Sequence, residues 1–248
     1  IRRMKNMKIY VVGFGPGGED QITPRALEAL RKSDVIAGYN LYIDLIKDIV
    51  KDKKLIQTPM KKEVERCQMA IDEALKGQTV AMISSGDAGV YGMAGVMHEL
   101  CENHPEVEIE VVPGITAACS GAAVLGAPLI HDFAVISLSD LMTPWEKIEK
   151  RVELAAEADM VICLYNPSSI KRADYLQKAC DLMMKHKAAD TKCGYVRNIG
   201  RDEEEYTLCT LGELRDAKVD MFTTVIVGNE TTRVINGKLV TPRGYKVN

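Results

Sequence analysis

Short apolar runs of strand length alternate with amphipathic segments of helix length along almost the whole chain. In the first half, apolar runs at 9–12 and 80–83 each lead into a glycine-bearing loop, and 62–76 has helical periodicity up to Gly77. Apolar residues at helical spacing indicate a helix, whereas short continuous apolar runs indicate buried strands. Strands that alternate with helices predict an α/β fold.

A second series of the same kind begins near His131. Its predicted strands are 134–138, 160–165, 195–198, 206–209 and 222–227. The small-residue stretch 117–126, followed by Ala127-Pro128, is the predicted division of the chain. We therefore predict a tail at 1–7, an N-terminal α/β domain at 8–128 and a C-terminal α/β domain at 129–248.

Several helix ends and one turn carry specific local signals. Thr23 is the predicted N-cap of a helix that has Pro24 at its first position. The segment 143–146 is a predicted capping box, and Ser168 or Ser169 is predicted to cap a long helix that reaches about His186. Asn236-Gly237 lies between two apolar runs and predicts a hairpin with a two-residue turn.

Composition and charge narrow the functional classes. The chain has 248 residues, of which 46% are hydrophobic, but no apolar run approaches the roughly 20 residues that span a bilayer. We expect a soluble, cytoplasmic protein without a membrane partner. Its net charge of −3, with dispersed Lys and Arg, does not favour nucleic-acid binding. A small polyanionic ligand stays compatible with these charges, because it needs only a local basic patch.

The cysteines do not predict a disulfide framework or a metal site. There are seven, an odd number, and none forms a C-x-x-C pair. Structural zinc sites and disulfide frameworks show cysteine pairs at short spacing. We expect reduced thiols in the core and no metal held by the protein.

The segment 13–18 satisfies G-x-G-x-x-G after a strand. In a dinucleotide-binding fold, the helix would begin inside this glycine loop and face the pyrophosphate. Here the helix signal at Thr23 lies well beyond Gly15, and Asp34 precedes the second strand where a ribose-binding acid should follow it. A tight turn that brings backbone close to a ligand is the favoured interpretation. A simple strand-to-helix turn stays open.

Two more glycine-bearing loops follow strands, at 84–92 and at 112–117. Asp87 in the first of them can accept hydrogen bonds from a ribose or an ammonium, or act only as a local turn acceptor. Thr116 in the second is a possible N-cap. In a parallel sheet, loops at the carboxyl ends of strands meet at one edge, where α/β proteins bind ligands.

These three loops, in this order and spacing, resemble the tetrapyrrole methylase family. Similarity extends from residue 8 to the end of the chain, through segments that include 83–95, 136–145, 165–168 and 241–245. The resemblance implies a two-domain α/β homodimer that binds S-adenosylmethionine in the interdomain cleft. Within the family, 136–145 and 241–245 are most similar to members that methylate C17 of the macrocycle and contract its ring during cobalamin biosynthesis.

The resemblance also implies which residues surround the cofactor. By this similarity the S-adenosylmethionine site comprises Gly15, Pro16, Ser85, Gly86, Asp87, Val90, Thr116, Ala117, Tyr165, Asn166 and Gly228. For Val90 and Ala117, ordinary core packing is an open alternative.

The implied substrate carries many carboxylates, which suit charge-assisted hydrogen bonds from basic side chains. Lys61 and Arg197 are the main candidates, and Lys62, Arg66 and Arg201 are further ones. Solvated surface positions are the alternative for Lys61, Lys62 and Arg197.

Ring contraction calls for acid–base help, and we nominate His131 and Asp140, which lie in segments shared with the C17-methylating members. A hydrogen-bonded structural role is the alternative for His131.

Other functions stay open at this point. One is a methylase that acts at another macrocycle position or on a protein residue. Another is a tetrapyrrole- or cofactor-binding module without catalysis. A nicotinamide oxidoreductase is weakened by the positions of Thr23 and Asp34.

Overall fold

The computed structural model describes residues 7–169 and 171–246. By its internal contacts the chain divides between Ala117 and Ala118, somewhat before the predicted boundary at 128. We call the two parts the N-terminal unit and the C-terminal unit. Apart from Met7, the predicted tail at 1–7 lies outside the described residues.

The N-terminal unit contains one sheet in which every described strand pair is parallel. Its strands are β1 (Lys8–Gly13), β2 (Val35–Tyr39), β3 (Lys54–Thr58), β4 (Thr79–Ser84) and β5 (Glu108–Val112), in the order β3-β2-β4-β1-β5. Its helices are α1 (Pro24–Lys32), α2 (Asn40–Leu45), α3 (Lys47–Val50), α4 (Glu63–Leu75) and α5 (Ala94–Cys101), with a 3₁₀ turn at Glu19–Gln21. The predicted alternation of strands and helices is confirmed here.

Both faces of this sheet are covered, which explains its continuous apolar strands. Ile9 and Val11 belong to one buried cluster, together with α4 and α5, and Val12 belongs to a second cluster with α1. Cys67 and Ile71 lie on the buried face of α4. Val64, in the first turn of the same helix, is 58% exposed.

The C-terminal unit contains a mixed sheet and a small second sheet. The elements are α6 (Ala117–Leu125), β6 (Gly126–Ala127), β7 (Phe133–Ser137), α7 (Trp145–Glu157), β8 (Val161–Tyr165), α8 (Tyr175–Met183), β9 (Lys192–Arg197), β10 (Glu205–Thr210), α9 (Leu211–Leu214), β11 (Thr223–Val227), β12 (Arg233–Ile235) and β13 (Lys238–Val240). The larger sheet has the order β10-β9-β11-β8-β7, with β7 parallel to β8 and antiparallel pairing elsewhere. The smaller sheet has the order β12-β13-β6.

The local signals for helix ends and turns succeed in some places and fail in others. Thr23 caps α1, since its Oγ1 accepts a hydrogen bond from Ala26 N at 3.1 Å. The hairpin turn is also confirmed, with positive φ at Asn236 and Gly237. The capping box at 143–146 is wrong: Pro144 is the N-cap of α7, and no side chain caps that helix.

The predicted cap at Ser168 or Ser169 is also wrong. The helix that follows, α8, begins only at Tyr175 and has Asp174 as its N-cap. The intervening Ser169 instead accepts a hydrogen bond from the Arg172 side chain.

No helix in 7–169 or 171–246 is both long and apolar enough to cross a membrane. The same ranges contain no group of three or more His, Cys, Asp or Glu side chains placed to hold a metal ion.

Candidate cofactor and substrate site

Three glycine-bearing loops meet at the carboxyl edge of the N-terminal sheet. They follow β1, β4 and β5, which are neighbours in the sheet. The backbones of Gly15 and Gly86 exchange two hydrogen bonds, Gly15 N to Gly86 O at 3.0 Å and Gly86 N to Gly15 O at 2.7 Å. The prediction that these loops meet at one edge is thereby confirmed. We call the three loops, residues 13–18, 84–93 and 112–117, the glycine cradle.

The glycines of the cradle permit backbone contacts that any side chain would prevent. A Cβ atom on Gly114 would lie 2.2 Å from Gly86 O, and one on Gly13 would lie 2.7 Å from the same atom. Gly86 itself has a φ of +67°, which favours glycine. The cradle is therefore a fixed arrangement of backbone atoms, which is what close approach to a ligand requires.

Asp87 connects two loops of the cradle. Its Oδ1 accepts a hydrogen bond from Gly89 N at 2.7 Å, and its Oδ2 accepts one from Gly114 N at 3.0 Å. The first contact is the local turn that the sequence left open, and the second crosses to the loop after β5. A carboxylate has about four acceptor positions. The half-buried Asp87 therefore retains capacity to accept from a ligand hydroxyl or ammonium.

The other predicted cofactor residues of this unit lie in the same three loops. Gly15 and Pro16 are buried, and Ser85 is half-buried. Val90 is 36% exposed, which argues against the alternative of core packing. Ala117 is half-buried and begins α6, directly after Thr116.

Tyr165 and Asn166 end β8 in the C-terminal unit. The Tyr165 hydroxyl accepts a hydrogen bond from Ala118 N at 2.7 Å, in the first turn of α6. Asn166 has a φ of +51°, and its Nδ2 donates to Ser137 Oγ at 3.0 Å. The first contact connects Tyr165 to α6, and the second connects Asn166 to the end of β7.

Gly228 does not lie beside Tyr165 and Asn166. It follows β11, which is antiparallel to β8 and pairs Val227 with Ile162. Gly228 therefore lies near the start of β8, whereas Tyr165 ends that strand. Close packing already requires a glycine here, because a Cβ atom would lie 2.6 Å from Lys192 O.

Asp140 is held by two neighbouring side chains. Tyr175 Oη donates to its Oδ2 at 2.7 Å, and Arg172 Nη1 donates to its Oδ1 at 3.0 Å. The hydrogen bond from Tyr175 and, after it, Arg172 keep the pKa of Asp140 below its usual range, although partial burial acts in the opposite direction. A carboxylate that is ionised and accepts two hydrogen bonds is a poor proton donor. The geometry therefore argues against Asp140 as a proton donor, and its nomination for acid–base help stays a prediction.

Arg172, which lies at the centre of this network, was not among the residues predicted from the sequence. Besides Asp140, it donates to Ser139 Oγ at 2.9 Å and to Ser169 Oγ at 3.1 Å. Trp145 stacks against Tyr175 with ring centroids 4.1 Å apart. Because the contacts of Arg172 with Ser139 and Asp140, and the ring contact, join segments that are distant in sequence, no local pattern identified them.

The His131 ring contacts the backbone of Pro242. Its Nε2 lies 3.0 Å from the carbonyl oxygen of Pro242. A carbonyl oxygen only accepts, so Nε2 carries the proton and Nδ1 of the neutral ring is the basic nitrogen. A backbone acceptor that fixes the tautomer is compatible both with a structural role and with a general base.

The two basic residues predicted to bind substrate have different surroundings. Lys61 is exposed, has a φ of +68°, and its backbone N donates to Glu63 Oε1 at 3.2 Å. The Arg197 side chain donates to Asp220 at 2.7 Å and lies 3.5 Å from Glu205. A substrate carboxylate would therefore compete with two protein carboxylates at Arg197, but not in the same way at Lys61.

The sequence and the fold of this chain are similar to those of known proteins. Residues 8–215 match the family described as Tetrapyrrole (Corrin/Porphyrin) Methylases. A probable cobalt-factor III C(17)-methyltransferase of Salmonella typhimurium is 50% identical over 96% of this chain and 99% of its own length. A precorrin-3B C(17)-methyltransferase of a Sinorhizobium species is 39% identical, over 96% of each chain. The crystal structure of the methyltransferase CobJ is similar with a TM-score of 0.87 and 36% identity, over 94% of this chain and 99% of that one.

Proposed function

The chain belongs to the tetrapyrrole methylase family, and from this premise we propose that it transfers the methyl group of S-adenosylmethionine to C17 of a cyclic tetrapyrrole in cobalamin biosynthesis. The glycine cradle is the structural observation that carries the proposal. Relatives named for C17 methylation, similar over nearly their whole length, support the position of methylation.

The cradle suits S-adenosylmethionine in shape and in charge. Close backbone packing at Gly13 and Gly114 holds the three loops together at one edge of the sheet, and Asp87 offers a negative charge with unused acceptor positions. The proposed contacts are Gly15, Pro16, Ser85, Gly86, Asp87, Val90, Thr116, Ala117, Tyr165 and Asn166. Gly228 stays a prediction, since its packing gives it a separate reason to be glycine.

The protein's contribution to methyl transfer is mainly positional. The bound cofactor supplies an electrophilic methyl group on a sulfonium, which needs little activation. The fixed cradle holds the donor in one orientation, and orientation lowers the barrier of a bimolecular transfer. Asp87 keeps two loops at a constant separation while it accepts from the ligand.

Asp87→Asn tests the cofactor site. The amide has one oxygen where the carboxylate has two, so one of the contacts to Gly89 N and Gly114 N is lost along with the charge. We expect S-adenosylmethionine to bind about 10- to 100-fold more weakly, as measured by calorimetry. Asp72→Asn, on exposed α4 surface, is the matched control. Equal affinity in both variants would remove Asp87 from the site.

We propose that ring contraction accompanies methylation and that His131 Nδ1 acts as the general base in the contraction step. The hydrogen bond to Pro242 O leaves this nitrogen as the base. His131→Gln can still donate to Pro242 O but has no base at the Nδ1 position. We expect this variant to methylate and to fail in contraction. Normal contraction by His131→Gln would assign the proton transfer to another group.

The decisive experiment is anaerobic incubation with S-adenosylmethionine and either cobalt-factor III or precorrin-3B, the compounds for which the two relatives are named. Mass spectrometry should find one added methyl group, and the absorption spectrum should report a contracted ring. Methylation without contraction would move the rearrangement elsewhere. Failure with both compounds, while the cofactor still binds, would exclude the C17 assignment.

The family resemblance supports two further proposals. We expect a homodimer that acts in the cytoplasm. Sedimentation equilibrium should give twice the mass of the 27.4 kDa chain, and a monomer at working concentration would contradict the first proposal. Fractionation of cells that express the protein tests the second.

A further inference from the structure

A buried guanidinium lies at the carboxyl edge of the N-terminal sheet. Arg66, in the first turns of α4, is 3% exposed. Its Nη1 donates to Thr58 Oγ1 at 2.5 Å, and its Nη2 approaches Met93 Sδ at 3.6 Å. Neither partner carries a charge, and a thioether sulfur is a weak acceptor.

The positive charge of Arg66 is poorly compensated. The only carboxylate paired with it among the described residues is Glu63, at 4.0 Å and 47% exposed. Its Nε is buried, and no described residue accepts a hydrogen bond from it. Burial lowers the pKa of this guanidinium, yet an arginine side chain stays protonated in proteins. Leaving such a charge buried without a partner is unfavourable.

A second buried cation in the same protein is paired with a carboxylate. The Lys187 side chain is 2% exposed, and its Nζ donates to Asp159 Oδ1 at 2.8 Å. Lys187 has a close carboxylate of its own, whereas no described carboxylate lies at hydrogen-bond distance from Arg66. The N-terminal unit therefore holds a guanidinium whose unused donors fit an anion.

The position of Arg66 connects it to the glycine cradle. Thr58 ends β3, and Met93 ends the loop after β4 that also carries Asp87. Met93 N donates to Ser84 Oγ at 3.1 Å, which closes that loop onto its strand. In the sheet order the cradle extends from β4 toward β1, and Arg66 lies on the opposite, β3 side.

We propose that Arg66 binds a carboxylate of the tetrapyrrole substrate, an inference that rests on the proposed function. A carboxylate that accepts from Nε and Nη2 together would supply the anion that this charge lacks, in place of the weak contact to Met93 Sδ. Among the basic side chains, arginine is the one whose planar guanidinium donates such a bidentate pair of hydrogen bonds. It would fix a substrate side chain beside the loop that holds the methyl donor.

Arg66→Met tests this role, and Lys187→Met is the matched control for removal of a buried cation. We expect Arg66→Met to raise KM for the tetrapyrrole about 10- to 100-fold, with S-adenosylmethionine affinity within about twofold of wild type. Its melting temperature without substrate should be equal or higher, because an uncompensated charge is removed. Lys187→Met should melt at a lower temperature, since it breaks an ion pair, and should keep the wild-type KM.

Three outcomes would overturn the proposal. One is a lower melting temperature of Arg66→Met with unchanged KM, which is the result for a purely structural bridge from Thr58 to Met93. Another is an equal loss of affinity for cofactor and substrate, which is the result for a residue that only positions the loop. If Arg66→Met does not fold, Arg66→Lys takes its place, and an unchanged KM in Arg66→Lys is the third.

Binding is measured separately from turnover, so that the two proposals fail independently. Spectroscopic titration of wild type and Arg66→Met with cobalt-factor III reports substrate affinity without any reaction. A wild-type protein that binds but does not methylate would remove the proposed function. In that case weaker binding by Arg66→Met would still support the carboxylate subsite, and equal binding would overturn it.

Discussion

The two units hold their candidate site residues by different means. In the N-terminal unit, parallel strands bring the loops after β4, β1 and β5 to one edge, where backbone atoms of Gly15 and Gly86 bond directly. In the C-terminal unit, the mixed sheet places Tyr165 and Gly228 at opposite ends of the pair β8 and β11. There the connections are made by side chains, with Arg172 at the centre. A site made of backbone tolerates almost no change at its glycines, whereas a side-chain network can lose one member and persist.

The largest effect should come from a methyl group inside the cradle. Gly114→Ala places a Cβ atom 2.2 Å from Gly86 O, so the loops after β4 and β5 must separate. We expect a loss of about 3 kcal/mol in the free energy of unfolding and loss of cofactor binding. Urea denaturation and calorimetry measure the two effects.

Gly95→Ala is the control for this substitution. Gly95 lies in α5 with no atom within 4 Å of the added Cβ. Alanine should therefore stabilise the protein by up to about 1 kcal/mol, because glycine has the lower helix propensity. Similar free energies of unfolding for the two alanine variants would mean that the cradle loops adapt to a side chain. The backbone of the N-terminal unit would then be no less tolerant than the side-chain network of the C-terminal unit.

A smaller effect distinguishes the helix starts of the two units. Thr23 accepts a hydrogen bond at the start of α1, so Thr23→Ala should lower the free energy of unfolding by about 1 kcal/mol. Thr143 precedes Pro144, the N-cap of α7, and gives no cap. Thr143→Ala should then stay within about 0.5 kcal/mol of wild type. Thermal denaturation measures the stability of both variants. A loss of more than about 0.5 kcal/mol in Thr143→Ala would mean that Thr143 does cap α7.

These caps illustrate which features the sequence can predict. Strand and helix alternation, the cap at Thr23 and the turn at Asn236 depend on a few adjacent residues, and the structure confirms them. The convergence of the glycine loops was also predictable, because parallel strands have their carboxyl ends at one edge. The identity of the family came from the same loops.

Features that depend on distant partners were not predictable in this way. The side chain of Arg172 reaches Asp140, and the side chain of His131 reaches Pro242 O, across long stretches of chain. Sequence patterns report local propensity, and tertiary hydrogen bonds decide the surroundings of Asp140 and His131. The late start of α8 is different, since Ser169 accepts a hydrogen bond from the side chain of Arg172, only three residues later, and does not cap the helix.

The smallest effect concerns the charge of Asp140. The folded protein lowers the pKa of this carboxyl below its ordinary value of 3.8, chiefly through Tyr175 and then through Arg172. Its contribution to stability is therefore complete above the unfolded-state pKa, and it is lost as the pH falls through the folded-state pKa. Asp140→Asn should lower the free energy of unfolding by about 1 kcal/mol or less at neutral pH, because solvent screens a side chain that is 35% exposed.

The pH dependence of this difference separates an anchor from an acid. The free energy of unfolding of Asp140→Asn should approach that of the wild type as the pH falls below 3.8. Asp202 is exposed, so Asp202→Asn is the control and should differ little from the wild type at any pH. A difference that stays constant with pH would mean that the ionised carboxylate does not hold Arg172 and Tyr175. If the difference does shrink, Asp140 is ionised at neutral pH and held by Tyr175 and Arg172, so it does not donate a proton during contraction.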